Sequence, residues 1–298
     1  MDNVQIDEDV VRSLLKEQHP DLAGLPVVEV VGGWGNQQWR LGDDLVVRMP
    51  RTGNAPDLLL RERQWLPVLA PRLPLPVPIP VRIGEPSVRF PWPWTVMMWV
   101  PGEPLDRASI SRADHAADTL ASFLRALHVE APAEAPDSTD RGAHPKNCTG
   151  GFENFMRAVD LGDIAGKARA VWDDAAAAPE WEGPRLWLHG DLHPANVVVS
   201  DGTLAGVIDF GDLFAGDPAW DLAAAWLLLP AGAASRFFDA YARADEATIR
   251  RARGLAAMKS LFLMLMGQNG DRGLPGGKPN WGPVGRAALD RVLAFEGH

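Results

Sequence analysis

Three oxygen-bearing side chains stand out by type and spacing. In Trp187-Leu-His-Gly-Asp-Leu-His-Pro-Ala-Asn-Val-Val-Val199, Asp191 follows an apolar strand and a glycine, which puts its carboxylate in a tight turn at a strand end. Asn196 lies five residues on, just before the next apolar strand. Asp209, in Gly206-Val-Ile-Asp-Phe-Gly-Asp212, ends a third strand. Carboxylate and amide oxygens are hard ligands that suit magnesium. A further carboxylate beside such a metal can accept a hydroxyl proton or orient that hydroxyl. Three such groups on neighbouring strand ends can converge on one point, and together they are the set needed to move a phosphoryl group from a nucleotide. A zinc site through His189, Asp191 and His193 would leave Asn196 and Asp209 unexplained and lacks a clear further ligand.

The order and spacing of His189-Gly-Asp191-xxxx-Asn196 and Ile208-Asp209-Phe-Gly-Asp212 are similar to the catalytic loop and Asp-Phe-Gly motif of protein kinases. They closely resemble the aminoglycoside phosphotransferase family, which also includes macrolide, choline and homoserine kinases. The resemblance implies Asp191 as the catalytic base and Asn196 and Asp209 as magnesium ligands. It implies that His189 braces the catalytic loop and that His193 lies inside it. Asp217-Pro-Ala-Trp-Asp221 looks like the family's helix start after the metal loop, with Asp217 as an N-cap and Asp221 as a buried brace. The short passage from Asp209 to Asp217-Pro leaves little room for a protein kinase's activation segment.

Donor residues are expected upstream. Gly32-Gly33-Trp34-Gly35-Asn36 links two strands and is either a hairpin turn or a place where backbone amides, at Gly33 and Asn36, approach phosphates. It is not a Walker sequence, because no Gly-Lys-Ser/Thr follows. Arg48 ends Leu45-Val-Val-Arg48 at the position where the family usually offers lysine, and a guanidinium fork can hold phosphate oxygens in its place. Glu62 resembles the acid that pairs with that strand cation. Met98, Trp99 and Val100 resemble the hinge that meets the nucleobase edge; Trp99 either stacks or fills core. The donor is ATP or GTP.

These groups need a scaffold. Helical spacing covers Asp7–Gln18 and Asp57–Ala70, with Pro67 ending or bending the second. Val27–Val31, Gln37–Leu41 and Asp44–Arg48 read as strands, the last two around a Gly42-Asp43 turn. Pro67–Pro104 holds eleven prolines, yet it carries Val77, Ile79, Val81 and Ile83, and Thr95–Val100 within it reads as a buried strand, so its prolines pin edge strands and turns. Helices are expected over Ala108–His128, Phe152–Val159, Asp163–Ala178, Pro218–Leu229, Ala233–Ala242, Ala247–Met266 and Val284–Phe295. Short strands are expected at Leu186–His189, Val197–Val199 and Ala205–Ile208. Ala131–Thr149 reads as a surface loop. Gly267–Pro283, with six glycines and three prolines, reads as a long loop, with Trp281, that could act as a lid. The plan is α+β. The resemblance implies a bilobal protein-kinase-like fold, with a small antiparallel-sheet lobe over residues 1–100 and a larger helical lobe over 101–298 that carries the catalytic and metal loops and the acceptor site.

Composition sets the outer limits. The chain has 298 residues, 46% of them hydrophobic, which excludes wholesale disorder. A net charge of −10 argues against nucleic acid as a partner. One cysteine, Cys148, excludes a disulfide framework. The acidic N-terminus is unlike a signal peptide, and the apolar run Leu222–Ser235 is too short to span a bilayer. A cytoplasmic protein, monomeric or homodimeric, is expected. Twelve tryptophans fit an aromatic-lined pocket or lineage bias. Residues 130–182 hold eleven acids against five bases, and 232–298 hold ten bases against six acids. An acceptor wall built from the last helices is thus not strongly anionic, and Met258–Met266 reads as core or as a pocket for a bulky, weakly charged acceptor such as a macrolide. The leading expectation is a kinase for an antibiotic-like alcohol. The alternatives are a kinase for a macrolide or for a metabolite such as an amino alcohol or sugar, and a kinase-like nucleotide-binding protein without catalysis.

Overall fold

The structure is a computed structural model and describes residues 6–30, 33, 35–138 and 141–296. The chain divides into two compact units, Met1–Pro101 with Val207–Asp212, and Gly102–Gly206 with Leu213–His298.

The first unit opens with helix α1 (Glu8–Gln18), capped by Asp7, whose side chain accepts from the Val10 amide. Strands β1 (Val27–Val30), β2 (Asn36–Leu41) and β3 (Leu45–Pro50), helix α2 (Ala55–Leu69), β4 (Pro80–Gly84) and β5 (Trp94–Met98) follow. The strands form one antiparallel sheet in the order β1-β2-β3-β5-β4. Gly42, at φ +60°, makes the tight turn between β2 and β3. Val47 and Met49 of β3 join Trp39, Leu41, Trp94 and the buried face of α1 in a core on one side of the sheet. Side chains alternate along a strand, so Arg48 faces the other side, where α2 presents Glu62. Helix α2 runs through Pro67 and closes in a 3-10 turn at Ala70–Arg72. The proline-dense stretch starts the edge strand β4 at Pro80, where no ladder bond is lost.

The second unit contains β6 (Glu103–Pro104), α3 (Ala113–Leu127), α4 (Pro145–Ala158), α5 (Ala165–Ala177), β7 (Leu186–Leu188), β8 (Val197–Ser200), most of β9 (Thr203–Val207) and β10 (Phe214–Gly216). Short helices α6 (Ala219–Leu222) and α7 (Ala224–Leu228) precede α8 (Ala233–Tyr241), α9 (Glu246–Asp271) and α10 (Trp281–Ala294). The small sheets pair β7 with β10 and order β6-β8-β9. No helix among the described residues is long and apolar enough to cross a membrane.

Three elements differ from the sequence reading. Helix α4 starts at Pro145, inside the stretch read as loop, with proline in the first turn and His144 capping the Lys146 amide. The helix read over Pro218–Leu229 is split at Ala223. The Gly267–Pro283 loop is shorter than read: α9 runs to Asp271 and α10 begins at Trp281. Gly267, and Gly285 just beyond the stretch, serve close packing, while Gly273 and Gly276 take positive φ in the turn between the helices. A Cβ at Gly267 would lie 2.3 Å from the Gly282 nitrogen, and one at Gly285 would lie 2.6 Å from the Ser260 carbonyl oxygen. Nor is Trp281 a lid residue. It is buried, donates from Nε1 to Asp106 Oδ2 at 3.0 Å, and packs against His193.

Candidate active site

In the first unit, Arg48, Glu62 and Asp209 form one ionic cluster. Arg48 Nη1 lies 2.5 Å from Glu62 Oε2, and Nη2 lies 2.8 Å from Asp209 Oδ1. Glu62 is fully buried, and its second oxygen accepts from the Phe210 amide at 3.0 Å. Burial pulls the Arg48 pKa down, but Glu62 and Asp209 outweigh it, so the guanidinium stays charged. Burial pushes the Glu62 carboxyl up, to about 7, against the pull of Arg48. Asp209 sits at φ +65°, a left-handed backbone beyond the end of β9, and a 3-10 turn over Phe210–Asp212 follows. That bend turns the Asp209 carboxylate toward Arg48 and leaves it half-exposed.

The remaining donor-side residues lie in the same unit. Gly33 is at φ +72°, and a Cβ there would meet the Asn36 carbonyl oxygen at 2.6 Å. Its own carbonyl accepts from Arg51. Gly32 and Trp34 lie outside the described residues. Asn36 opens β2 with its side chain buried. The Met98 amide donates to the Ile79 carbonyl and the Trp99 amide to the Asp44 carbonyl, so both are engaged within the unit. Met98 is exposed and Val100 buried. The Arg40 guanidinium covers the Trp99 ring at 4.1 Å.

In the second unit, Asp191 leads the loop between β7 and β8. Gly190, at φ +85°, makes the turn. The loop hangs on Asp221, a fully buried carboxylate that accepts from the His189 amide at 2.6 Å and the Gly190 amide at 3.0 Å. His128 lies 3.4 Å from the same carboxylate and 2.8 Å from the Tyr241 hydroxyl, extending the brace. The buried His189 ring accepts from the Asp191 amide through Nδ1 at 3.2 Å. Asp217 accepts from the Ala219 amide and pairs with Arg251 at 2.8 Å.

Four groups orient Asp191. Asn196 Nδ2 donates to its carbonyl at 3.0 Å and to Oδ2 at 3.3 Å. His193 Nε2 lies 3.4 Å from Oδ2, and Arg141 Nη2 lies 3.2 Å from Oδ1. Burial raises the Asp191 pKa, but His193, Arg141 and His189 more than offset it and hold the carboxyl below its usual range. The Asn196 amide nitrogen is thereby anchored, which turns its oxygen away from Asp191. The oxygens of Asn196 and Asp209 have the hard-donor chemistry magnesium prefers. Among the described residues, no group of three or more His, Cys, Asp and Glu side chains is arranged to hold a metal.

Asp191 lies on the wall of a cavity of ≈ 200 Å³. Phe155, Trp220, Leu227, Met258, Phe262 and Leu263 give it an apolar, aromatic lining, and Arg141 and Lys259 add two cations. The sequence reading missed both cations. Arg141 lies fifty positions from Asp191 in chain order, in a polar loop without a motif. Lys259 sits within an apolar helical run, where only its being the lone charge between Met258 and Met266 marked it.

The fold is that of kinase-like phosphotransferases. Similar structures include the GDP complex of wild-type aminoglycoside 2'-phosphotransferase-IIIa (21% identity, TM-score 0.68, covering 97% of this chain and 99% of that one). Macrolide 2'-phosphotransferase MphH from Brachybacterium faecium is also similar (21% identity, TM-score 0.60, 97% and 100% covered), as is macrolide 2'-phosphotransferase type I (18%, 0.62, 97% and 99%). No curated relative matches the chain. Residues 26–255 match the model of the phosphotransferase enzyme family, and the chain belongs to that family.

Proposed function

We propose that this protein is a small-molecule kinase that transfers the γ-phosphate of ATP or GTP to a hydroxyl of an antibiotic-like acceptor. The observation that carries this reading is the Asp191 carboxylate, kept ionised on the wall of a cavity and fixed on both oxygens. A carboxylate of low proton affinity is suited to accepting a hydrogen bond from an alcohol and aiming its oxygen. The hydroxyl oxygen forms a bond to the γ-phosphorus, the bond from that phosphorus to the bridging oxygen breaks, and the hydroxyl proton passes to Asp191 as the alcohol becomes acidic. Magnesium, bound with the nucleotide through Asn196 and Asp209, would neutralise phosphate charge. Arg48, oriented by Glu62, would hold donor phosphates, with Gly33 and Asn36 near them and Met98–Val100 at the nucleobase. Positioning and electrostatics then provide the catalysis. Structural neighbours described as complexes with GDP, ATP or ADP support the nucleotide donor. Neighbours described with kanamycin, streptomycin or gentamicin support an antibiotic acceptor and a role in resistance.

A second reading, a kinase for a less charged alcohol such as a macrolide or a metabolite, is favoured by the apolar lining beside Asp191. Action in the cytoplasm as a monomer or homodimer goes with either. The test is transfer of labelled γ-phosphate to a panel of antibiotics and metabolite alcohols, with wild type and Asp191→Ala. Label should appear as a phosphate monoester with wild type only, while Asp191→Ala still binds nucleotide. Equal turnover by the two proteins would overturn the assignment.

A further inference from the structure

The charge around the cavity is uneven. Among the described residues, Asp191 is the one carboxylate on a lining that carries Arg141, His193 and Lys259. Asp191 is already shared among Arg141, His193 and Asn196. Lys259 differs from the other two. Its Nζ donates to the Trp220 carbonyl at 2.8 Å and lies 4.5 Å from the centre of the Trp220 ring, and it makes no ion pair among the described residues. The carboxylate that acts on it most strongly is Asp221, ahead of Asp191, and the Asp221 oxygens already hold the His189 and Gly190 amides. An ammonium taken from water without an ion-pair partner is costly. Burial accordingly pulls the Lys259 pKa down to about 8, with Asp221 and Asp191 opposing.

Among the described residues, no acid of 130–182 lines the cavity, and four of them are engaged by bases. Glu153 pairs with Arg169, Asp174 with Arg250, Asp137 with Arg185 and Glu180 with Lys146.

We infer that the acceptor is a hydroxyl compound with an apolar, ring-bearing body and an anionic group, and that Lys259, with Arg141, receives the anion while Asp191 faces the hydroxyl. This rests on the kinase reading of the cavity and narrows its acceptor to a class opposite in charge to the aminoglycosides. The aromatic lining holds the body, and the ligand's charge provides the partner Lys259 lacks.

The test uses the full chain and three probes of one shape: para-hydroxymethylbenzoate, para-benzenedimethanol and para-aminomethylbenzyl alcohol. Binding is followed calorimetrically at fixed ionic strength. The benzoate should bind about tenfold or more tightly than the neutral diol, as a charge-assisted hydrogen bond provides, and the amine should bind weakest. Lys259→Met should remove the advantage of the benzoate, and Lys259→Arg should keep it. Should Lys259→Met fail to fold, the wild-type order decides, together with its decline as pH rises past about 8 and Lys259 loses its proton. The inference is overturned if the amine or the diol binds as tightly as the benzoate, if none of the three binds, or if folded Lys259→Met keeps the order. Binding is measured without nucleotide. Anion preference without label transfer would contradict the kinase reading alone, and preferential transfer to the amine would contradict this inference alone.

Discussion

The two ionic clusters are built on opposite terms. Around Arg48 one cation meets two carboxylates, Glu62 and Asp209, and a backbone amide takes the remaining Glu62 oxygen. Around Asp191 one carboxylate meets Arg141, His193 and Asn196, with Lys259 further along the wall and, among the described residues, in no ion pair. The first cluster pairs its cation with two acids of its own chain, while the buried Arg48 Nε finds no hydrogen-bond partner. The second is left short of negative charge on the face of a cavity, and that shortfall can discriminate among acceptors.

The comparison breaks most sharply in kinetics. Asp191→Asn should lower kcat about 10³-fold with little change in the nucleotide KM. Arg48→Met should instead raise the nucleotide KM, by roughly tenfold to a hundredfold. Steady-state assays varying one substrate at a time check the split, and an Arg48 variant with an unchanged nucleotide KM would erase the proposed division of labour. In stability the order reverses. Glu62→Ala leaves a buried guanidinium short of one partner and should cost about 3 kcal/mol in denaturant unfolding.

Smaller effects sharpen the picture. Gly285→Ala pushes a methyl group into the backbone of α9 near Ser260 and should cost about 1–3 kcal/mol, without altering Asp191 chemistry at a temperature where the protein stays folded. The smallest effect is pH-dependent. Below pH 8 Lys259 is charged in both folded and unfolded chains, and its burial cost is constant. Between about 8 and 10.5 the unfolded chain still binds that proton and the folded one does not, so this residue makes stability rise with pH. Thermal melts of wild type against Lys259→Met across that window should diverge in favour of wild type, by on the order of 1 kcal/mol.

Much of the scaffold was legible because local chemistry and long-range packing agree there. Gly42-Asp43 turns where two alternating strands need it, and Asp7 caps α1 where the apolar spacing begins. The Asp191 loop could be read from strand, glycine and acid in order. What stayed hidden depends on distant partners. Gly267 read as the start of a loop, yet within α9 it lets the backbone of α10 approach. Ala223, where the two helices part, carries no breaking signal. Arg141 and Lys259 gain their meaning only from a cavity that folding creates, because no spacing rule connects a polar loop to the middle of α9.

The most direct test mixes wild-type protein, a nucleoside triphosphate labelled at the γ-phosphate, magnesium and the hydroxylated probes, and follows the label by phosphorus NMR. The account predicts an Asp191-dependent phosphate monoester on the acceptor, formed in step with nucleoside diphosphate. Diphosphate released with inorganic phosphate alone, unchanged by acceptor and by loss of the Asp191 carboxylate, would contradict it.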